Sequence, residues 1–441
     1  MPPIRHKRDC YVGIDLGTSG CRAIAIDDAG AIVAEAREPL PDSRHPEAGA
    51  SEQDPQDWWE AVSHVLVGVL GQHAGQLRAL SVDGTSATLL LCDARGVPCT
   101  PALMYDDTRA SVQAALIGRH APADSPARGP GSALAKLLWL LQSTPDAQRV
   151  QHALHQADWI LGRLSGVFGL SDENNALKLG YDPGARQWPE WLKALAIPPG
   201  LLPRAQPVGS MLGPVDADIA RQLGLPRDTL LVAGTTDSNA ATLAAGIQQP
   251  GDAVTSLGST LVLKMLCDRP VASTSYGVYS HRIGDQWLVG GASNCGGRVL
   301  RQHFTDRELN ELSQQIDPCT PLGLRYYPLP GVGERFPHND PSMQPRMQPR
   351  PADRAIFLQA ILEGIADVEA EGYARLAELG AGHPQRVFSS GGGAINDSWR
   401  KIRERRLGLP VLRAAQTEAA YGAALLARSA TRRRSATQFA E

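Results

Sequence analysis

The sequence lacks the features that mark secreted, membrane-spanning and zinc-binding proteins. Its seven cysteines are odd in number and contain no C-x-x-C pair, which gives no sign of a disulfide framework or a zinc site. No apolar run approaches the roughly 18 residues that a spanning helix needs, and residues 1–8 lack the apolar core of a signal peptide. We therefore expect a cytoplasmic protein with no membrane partner.

An excess of charge of one sign is also missing. The chain carries 43 basic and 46 acidic residues, for a formal net charge of −3, so there is no electrostatic reason to expect a nucleic-acid partner. With 441 residues, 43% of them hydrophobic, the chain is too long for one core and should form two or three domains. Either a monomer or a homodimer is compatible with this composition.

What the chain does have is a glycine-rich turn between two apolar strands, in Tyr11-Val-Gly-Ile-Asp-Leu-Gly-Thr-Ser-Gly20 and the residues to Asp27. The pattern predicts a β-hairpin whose turn touches phosphate, because its glycines permit positive φ and leave backbone N–H groups uncovered. Thr18 and Ser19 add hydroxyls. Asp15 ends the first strand, where it could hold a hydrated Mg²⁺. Taken alone, an ordinary glycine-rich hairpin explains the segment as well.

The theme returns in Ala253-Val-Thr-Ser-Leu-Gly-Ser-Thr260, which is followed by another apolar run to Leu266. This repeat predicts a second strand-turn-strand unit and a duplicated fold. Between the two repeats, a buried-type strand at 229–234 runs into Thr235-Thr-Asp-Ser-Asn239 and a small-residue helix. Asp237 is therefore predicted to lie in front of a helix N-terminus, as a helix cap or as a functional acid.

The rest of the chain predicts an α/β frame. A third strand at 31–37 completes an antiparallel meander, and strands at 77–83 and 87–92 are joined by Gly84-Thr85-Ser86. Residues 108–225 have a mainly helical pattern. We interpret the proline-rich segment 327–351 as an irregular surface loop. The remaining predicted elements are helices at 353–378 and 398–407, strands at 386–389 and from Val411, and an alanine-rich helix from Thr417.

A triple-glycine motif, Gly391-Gly-Gly-Ala-Ile-Asn-Asp-Ser-Trp399, completes the set. Together these motifs resemble the FGGY carbohydrate kinases, members of the actin, Hsp70 and hexokinase superfamily, over nearly the full length. Within that family the chain looks most like the D-ribulose kinases of cyanobacteria and plants. That closer similarity depends on the triple-glycine motif and on Asp83-Gly-Thr-Ser86, Ala157-Asp-Trp159 and Ser171-Asp-Glu-Asn-Asn-Ala-Leu-Lys-Leu-Gly-Tyr-Asp182.

The resemblance implies an α/β fold of two ribonuclease-H-like lobes around a central cleft. Residues 1–244, completed by a helix at 418–435, would form the sugar-binding lobe, and 245–417 the nucleotide-binding lobe. The implied activity is ATP- and Mg²⁺-dependent phosphorylation of a ketopentose, D-ribulose to D-ribulose 5-phosphate. D-xylulose or a pentitol is the alternative substrate. A sugar sensor without phosphoryl transfer and an actin- or Hsp70-like ATPase are the alternatives from other classes.

The resemblance also assigns roles to residues. Asp237 would be the general base, and Asp15, Ser86 and Asp237 would bind the sugar, with Asp15 also meeting the metal. The triple-glycine turn would let the backbone approach adenine, with an amide from Asn396 and stacking on Trp399. The residues implied in ATP binding are Thr18, Ser19, Gly258, Ser259, Thr260, Gly392, Gly393, Asn396 and Trp399. The Arg-Glu pair of the family's glycerol kinases is absent, which argues against glycerol.

Overall fold

The computed structural model of the chain describes residues 9–72 and 76–438, which form two compact units. Unit 1 runs to Ala244 and takes up the chain again from Glu418, and unit 2 is Ala245–Thr417. The prediction about residues 1–8 lies outside the described residues. Within the described ranges, no helix is both long and apolar enough to cross a membrane.

Up to Ala244, the described residues of unit 1 form twelve strands and seven α-helices. The strands are β1 (Asp9–Leu16), β2 (Gly20–Asp27), β3 (Ile32–Pro39), β4 (Glu52–Gln53), β5 (Gln76–Gly84), β6 (Leu89–Cys92), β7 (Ala102–Leu103), β8 (His152–His155), β9 (Leu170–Asp172), β10 (Arg204–Gln206), β11 (Met211–Pro214) and β12 (Leu230–Val232). The helices are α1 (Pro55–Gln72), α2 (Ser111–His120), α3 (Ala133–Ser143), α4 (Gln156–Ser165), α5 (Glu173–Ala176), α6 (Ala217–Leu223) and α7 (Asp237–Ala244).

Unit 2 follows, and the last helix belongs to unit 1 again. The strands of unit 2 are β13 (Asp252–Leu257), β14 (Leu261–Cys267), β15 (Tyr279–Ile283), β16 (Gln286–Ser293), β17 (Arg386–Ser390) and β18 (Val411–Arg413). Its helices are α8 (Gly297–His303), α9 (Asp306–Ser313), α10 (Arg354–Leu376) and α11 (Asp397–Leu407), and the chain ends its described part in α12 (Ala419–Gln438).

The main sheets of the two units share the order of five strands. These are β3-β2-β1-β5-β12 in unit 1 and β16-β14-β13-β17-β18 in unit 2, and a sixth strand extends each sheet, β11 beside β12 and β15 beside β16. In each, the first strand pairs antiparallel with a hairpin partner on one side and parallel with a later strand on the other. The meander of β1 to β3 is confirmed, and so is the predicted two-domain α/β fold with a duplicated core.

Helix α12 packs directly on β1, and glycine makes this possible. A Cβ at Gly13 would lie 1.9 Å from the carbonyl oxygen of Ala420, and one at Gly422 would lie 1.9 Å from that of Ala240. Small alanines of α12, including Ala424 and Ala427, fill an apolar layer against this face of the sheet. The alanine-rich composition of this helix therefore reflects close packing in unit 1.

The two strands predicted on either side of residues 84–86 are both present, and they lie in different sheets. β5 belongs to the main sheet of unit 1, whereas β6 lies in a second sheet of order β4-β7-β6-β8. Ala87 has a positive φ of 66° at the point where the chain changes direction. Propensity signals a strand in each segment, but it does not indicate which sheet each strand joins.

The proline-rich segment 327–351 contains no helix or regular strand, as predicted, but it is not a surface excursion. Tyr327, Leu329 and Phe336 belong to the buried core of unit 2. Glu334 is 2% exposed and makes short hydrogen bonds to the end of β16. The prediction failed because composition reports the lack of regular structure and not the burial of individual side chains.

Candidate active site

Two carboxylates stand side by side at the ends of the central strands of unit 1. Asp15 on β1 and Asp83 on β5 are register partners across a parallel pair. Asp83 is fully buried, and neither of its side-chain oxygens accepts a hydrogen bond from a protein donor in the described residues. Burial and the neighbouring Asp15 raise the pKa of Asp83 well above its usual range.

Asp15 is the more accessible member of this pair. Burial raises the pKa of Asp15 to about 6, and the charge of Asp237 adds to the rise, whereas Asp83 and Arg22 oppose it. Asp15 therefore ionises more readily than Asp83, whose raised pKa favours its neutral form. The negative charge of the pair is expected mainly on Asp15.

Asp237 lies at the same edge of the sheet. The strand β12 leads into Gly234-Thr235-Thr236, and Thr236 bridges to Gly84 at the end of β5. Asn174 on α5 donates to the Thr235 hydroxyl at 3.0 Å and holds the loop from the other side. We predicted Asp237 in front of the helix, and the structure places it as the first residue of α7, where its carboxylate accepts from the Ser238 N–H at 2.5 Å.

Ser86 is the one residue that is only half-buried in an otherwise buried stretch of chain. Every residue from Ala79 to Cys92 is buried except Ser86. It follows the end of β5 by two residues and thus lies just beyond the Asp83 position. Ligands of α/β proteins usually bind at the carboxyl ends of the parallel strands. This edge of the sheet in unit 1 contains Asp15, Ser86 and Asp237, which could therefore contact one ligand.

The first predicted phosphate turn is present between β1 and β2, but its glycines do not have the positive φ that was predicted. Gly17 N–H donates to the Gly20 carbonyl at 3.0 Å, and Thr18 and Ser19 stand half-buried and exposed in the turn. Neither glycine has a positive φ. A Cβ at Gly20 would instead lie 3.0 Å from the Glu38 carbonyl oxygen, so glycine is needed there for close approach to β3.

The second turn borders a pocket of about 550 Å³ in unit 2. Six of the predicted nucleotide-binding residues line it: Gly258, Ser259, Gly392, Gly393, Asn396 and Trp399. Thr260 lies in the same turn but outside the lining. Residues of α8 and α9 complete the wall, among them Arg301, Asp306 and Asn310, and the sequence contained no motif that pointed to them.

The glycine turn packs tightly against the second phosphate turn. Gly391 has a φ of 79°, which favours glycine, and a Cβ there would lie 2.9 Å from the Leu257 backbone. Gly392, in contrast, has no atom within 4 Å of where its Cβ would be. The open side of this turn is therefore at Gly392, which faces a pocket large enough for a nucleotide base.

Trp399 lines the pocket as part of its buried floor, and Asn396 lines it while also capping a helix. Trp399 is 2% exposed, its indole N–H donates to the Leu362 carbonyl at 3.2 Å, and its ring lies directly beneath Gly393. It supports the pocket floor and offers no open ring face for stacking. Asn396 caps α11 by accepting from the Trp399 N–H at 2.9 Å, and its amide donates to Ser313.

A buried glutamate supports the second turn from behind. Glu334 accepts from the Ser293 hydroxyl at 2.6 Å, the Asn294 N–H at 2.8 Å and the Tyr327 hydroxyl at 3.0 Å. The next residues pack on the turn, since a Cβ at Gly296 would lie 2.8 Å from the Thr260 carbonyl carbon. The proline-rich segment thus holds the loop on which the turn rests.

A magnesium ion fits only one part of this arrangement. Within the described residues, no three His, Cys, Asp or Glu side chains are placed to hold a metal ion together. Mg²⁺ bound with nucleotide phosphates needs only one or two protein carboxylates. The partly accessible, mainly ionised Asp15 is compatible with that chemistry.

Family models place the chain without ambiguity. Residues 10–244 match the N-terminal domain of the FGGY family of carbohydrate kinases, and residues 253–431 match its C-terminal domain. The chain belongs to the FGGY family of carbohydrate kinases. The family predicted from the motifs is thereby confirmed, and this FGGY kinase is a carbohydrate phosphotransferase with an alcohol group as acceptor.

Individual relatives of this FGGY kinase are named xylulose kinases. One from Streptomyces coelicolor is 29% identical, covering 91% of this chain and 83% of its own. One from Escherichia coli is 27% identical, covering 89% and 84%. The crystal structure of xylulose kinase from Rhodospirillum rubrum superposes with a TM-score of 0.82 at 25% identity, covering 95% and 89%. The motifs had indicated a D-ribulose kinase subgroup, which these names do not support.

Two further acids, Asp83 and Asp172, lie near Asp15 and Asp237, and neither was among the predicted site residues of this FGGY kinase. Asp83 was quoted only as part of a motif, although an acid within an otherwise apolar strand next to Asp15 was a usable signal. Asp172 caps α5, and burial together with the charge of Asp158 raises its pKa. The charge of Asp172 also acts on Asp83, so the edge of the sheet collects four carboxyl groups.

Proposed function

We propose that this kinase transfers the γ-phosphoryl group of ATP to a hydroxyl of a pentulose, with D-xylulose as the first candidate and D-ribulose as the second. The observation that carries the proposal is the convergence of Asp15, Ser86 and Asp237 at one edge of the main sheet of unit 1. The names of the relatives support D-xylulose. The subgroup motifs are the reason to keep D-ribulose.

In this proposal Asp237 is the general base. A sugar hydroxyl must lose its proton as its oxygen bonds to phosphorus, and a carboxylate within hydrogen-bond reach can take that proton. The position of Asp237 at the first turn of α7 favours its ionised form, because the helix dipole and the Ser238 N–H stabilise negative charge there.

Asp15 and Ser86 would orient the sugar in unit 1. A polyol needs convergent hydrogen-bond acceptors and donors, which a carboxylate and a hydroxyl supply together. The raised pKa of Asp83 favours its neutral form, so the negative charge of the pair lies mainly on Asp15. The Asp15 carboxylate can therefore interact with the ligand. Asp15 would also hold Mg²⁺, which neutralises phosphate charge when it is bound with ATP.

Unit 2 would hold the nucleotide. Gly258, Ser259 and Thr260 offer backbone N–H groups and hydroxyls to phosphate oxygens, as Thr18 and Ser19 do in unit 1. The pocket beside Gly392 and Gly393 would take the base. Its floor, formed by Trp399, shapes the pocket without stacking on the ligand.

The test is a coupled ADP-release assay with D-xylulose, D-ribulose, L-ribulose, ribitol and glycerol, each with and without Mg²⁺. The two favoured substrates differ in the configuration at one carbon, so kcat/KM must be compared because a single rate does not discriminate them. We expect the highest kcat/KM with D-xylulose. A preference for D-ribulose would restore the motif-based prediction, and sugar-independent ATP hydrolysis alone would refute the proposal.

A further inference from the structure

A buried lysine lies behind the candidate sugar site. Lys136, on α3, is fully buried. Its Nζ donates to two backbone carbonyl oxygens, that of Ala87 at 2.9 Å and that of Met104 at 2.6 Å. A buried amine is costly unless its hydrogen bonds are made, and α3 otherwise packs leucines and alanines into the same core. Packing alone would be satisfied by an apolar residue at this position. The amine is therefore best explained by the two backbone carbonyls that it holds.

The two carbonyls lie just outside the ends of two neighbouring strands, and that of Ala87 is next to Ser86. Ala87 directly follows Ser86 and has a φ of 66°, a backbone conformation that non-glycine residues rarely adopt. Met104 precedes Tyr105, whose side chain is 49% exposed. The strands β6 and β7 pair through Leu89 and Leu103, so Lys136 ties neighbouring ends of two strands to α3.

The other side of Ser86 is held separately. Gln156, at the start of α4, accepts from the Thr85 N–H at 3.0 Å and from the Thr85 hydroxyl at 2.8 Å. The Thr85 hydroxyl also lies 2.6 Å from that of Thr88. Ser86, which is half-buried, therefore lies between two residues that are anchored from two different helices.

We propose that Lys136 is a positioning residue for the sugar: by holding the strained Ala87 carbonyl, it fixes the direction in which Ser86 presents its hydroxyl. This inference rests on the proposed function, since it takes Ser86 as a sugar ligand. Lys136 itself touches no substrate. Without its hydrogen bond, Ala87 would relax toward negative φ and rotate the adjoining peptide together with Ser86.

The first test is Lys136→Met in the full chain, with Lys193→Met as control, because Lys193 is an exposed lysine of the same unit. Methionine keeps the length of the side chain and removes the donors. We expect the KM for the sugar to rise about tenfold, while the KM for ATP stays within about twofold. A sugar KM unchanged in Lys136→Met overturns the proposal. An equal rise in both KM values, with a lower melting temperature, also overturns it.

The second test separates positioning from packing. Glycine adopts a φ near 66° without strain, so Ala87→Gly in the Lys136→Met background should recover part of the sugar affinity without restoring the melting temperature. No recovery counts against the proposal. If Lys136→Met folds poorly, Lys136→Leu, which also removes the donors, takes its place in the same comparison.

Failure of the proposed function would be visible before any variant is compared, as absence of sugar-dependent ADP release in the wild type. In that case hydrogen exchange still tests whether Lys136 restrains the backbone around Ser86. Amides of residues 85–89 should exchange faster in Lys136→Met than in Lys193→Met, while unit 2 is unchanged. Equal exchange in both variants would show that Lys136 does not restrain this backbone.

Discussion

Asp15 and Asp83 lie opposite each other on two parallel strands, and only one of the two carboxyl groups is accessible. Parallel neighbours in a sheet are about 4.8 Å apart, so two negative charges at this point would repel each other strongly. The pair therefore holds a proton, and that proton belongs mainly to the buried Asp83. This relationship leads to the first prediction, and the others concern the base, the second turn and the nucleotide pocket.

Asp83→Asn should make the protein more stable at alkaline pH. The pKa of Asp83 is higher in the folded than in the unfolded protein, so the folded state holds this proton more tightly. The resulting contribution to stability is fully present at low pH. It is lost as pH rises from the unfolded pKa, near 4, through the folded pKa. An asparagine has no proton to lose. The free energy of unfolding of the variant, relative to wild type, should increase from pH 4 to pH 8.

Chemical denaturation at several pH values measures this difference. Asp42→Asn changes an exposed acid of the same unit and should show no such trend relative to wild type. A stability difference between Asp83→Asn and wild type that stays flat over this pH range would show that Asp83 is ionised in the folded protein.

Asp237→Asn should abolish most turnover and leave nucleotide binding intact. The amide keeps the shape of the side chain but cannot accept a proton, and a general base contributes about 10²–10⁴ in rate. Steady-state kcat and nucleotide-induced thermal shift are the two measurements. Asp218→Asn, at an exposed acid on α6, is the control and should retain the wild-type kcat. A kcat for Asp237→Asn within about threefold of wild type would exclude the base role.

Glu334→Gln should weaken ATP binding more than sugar binding. One carboxylate oxygen becomes an N–H₂ group, which cannot accept the hydrogen bonds now donated by residues at the end of β16. Loss of such buried bonds costs about 1–3 kcal/mol, and the supported turn at 258–260 should move. The KM values for ATP and sugar, measured separately, test this. The control, Glu378→Gln, changes an exposed acid of unit 2; if its KM for ATP rises as much, the argument fails.

Neighbouring glycines in the nucleotide pocket should respond differently to alanine. At Gly393 a Cβ would lie 2.5 Å from the Trp399 ring, which forces the turn or the ring to shift. We expect Gly393→Ala to lower both the melting temperature and the ATP affinity. At Gly392 a Cβ meets nothing within 4 Å, so Gly392→Ala should keep the wild-type melting temperature. Any loss of ATP affinity in Gly392→Ala would then report contact with the nucleotide. Equal melting temperatures for the two variants would contradict the packing described here.

Part of this outcome could be predicted from short stretches of sequence. The two glycine-rich hairpins, the helix after Asp237 and the α/β alternation were predictable, because turn chemistry and apolar periodicity act between residues close in the chain. The anchoring of the turn at Ser86 and the burial of Trp399 were not. Both depend on residues far away in sequence, such as Lys136, which donates to the Ala87 carbonyl, and Leu362, whose carbonyl accepts from the indole N–H.

By itself, the sequence determined the family, the two repeated cores and the identity of the acid at the start of α7. Only the tertiary structure decided how the carboxyl groups share charge, because the pairing of Asp15 with Asp83 is set by strand register across the sheet. It also decided that the proline-rich segment is anchored through Glu334 and that a lysine supports the Ser86 turn. Those contacts join residues 40 or more positions apart, where local patterns in the chain carry no information about which groups will meet.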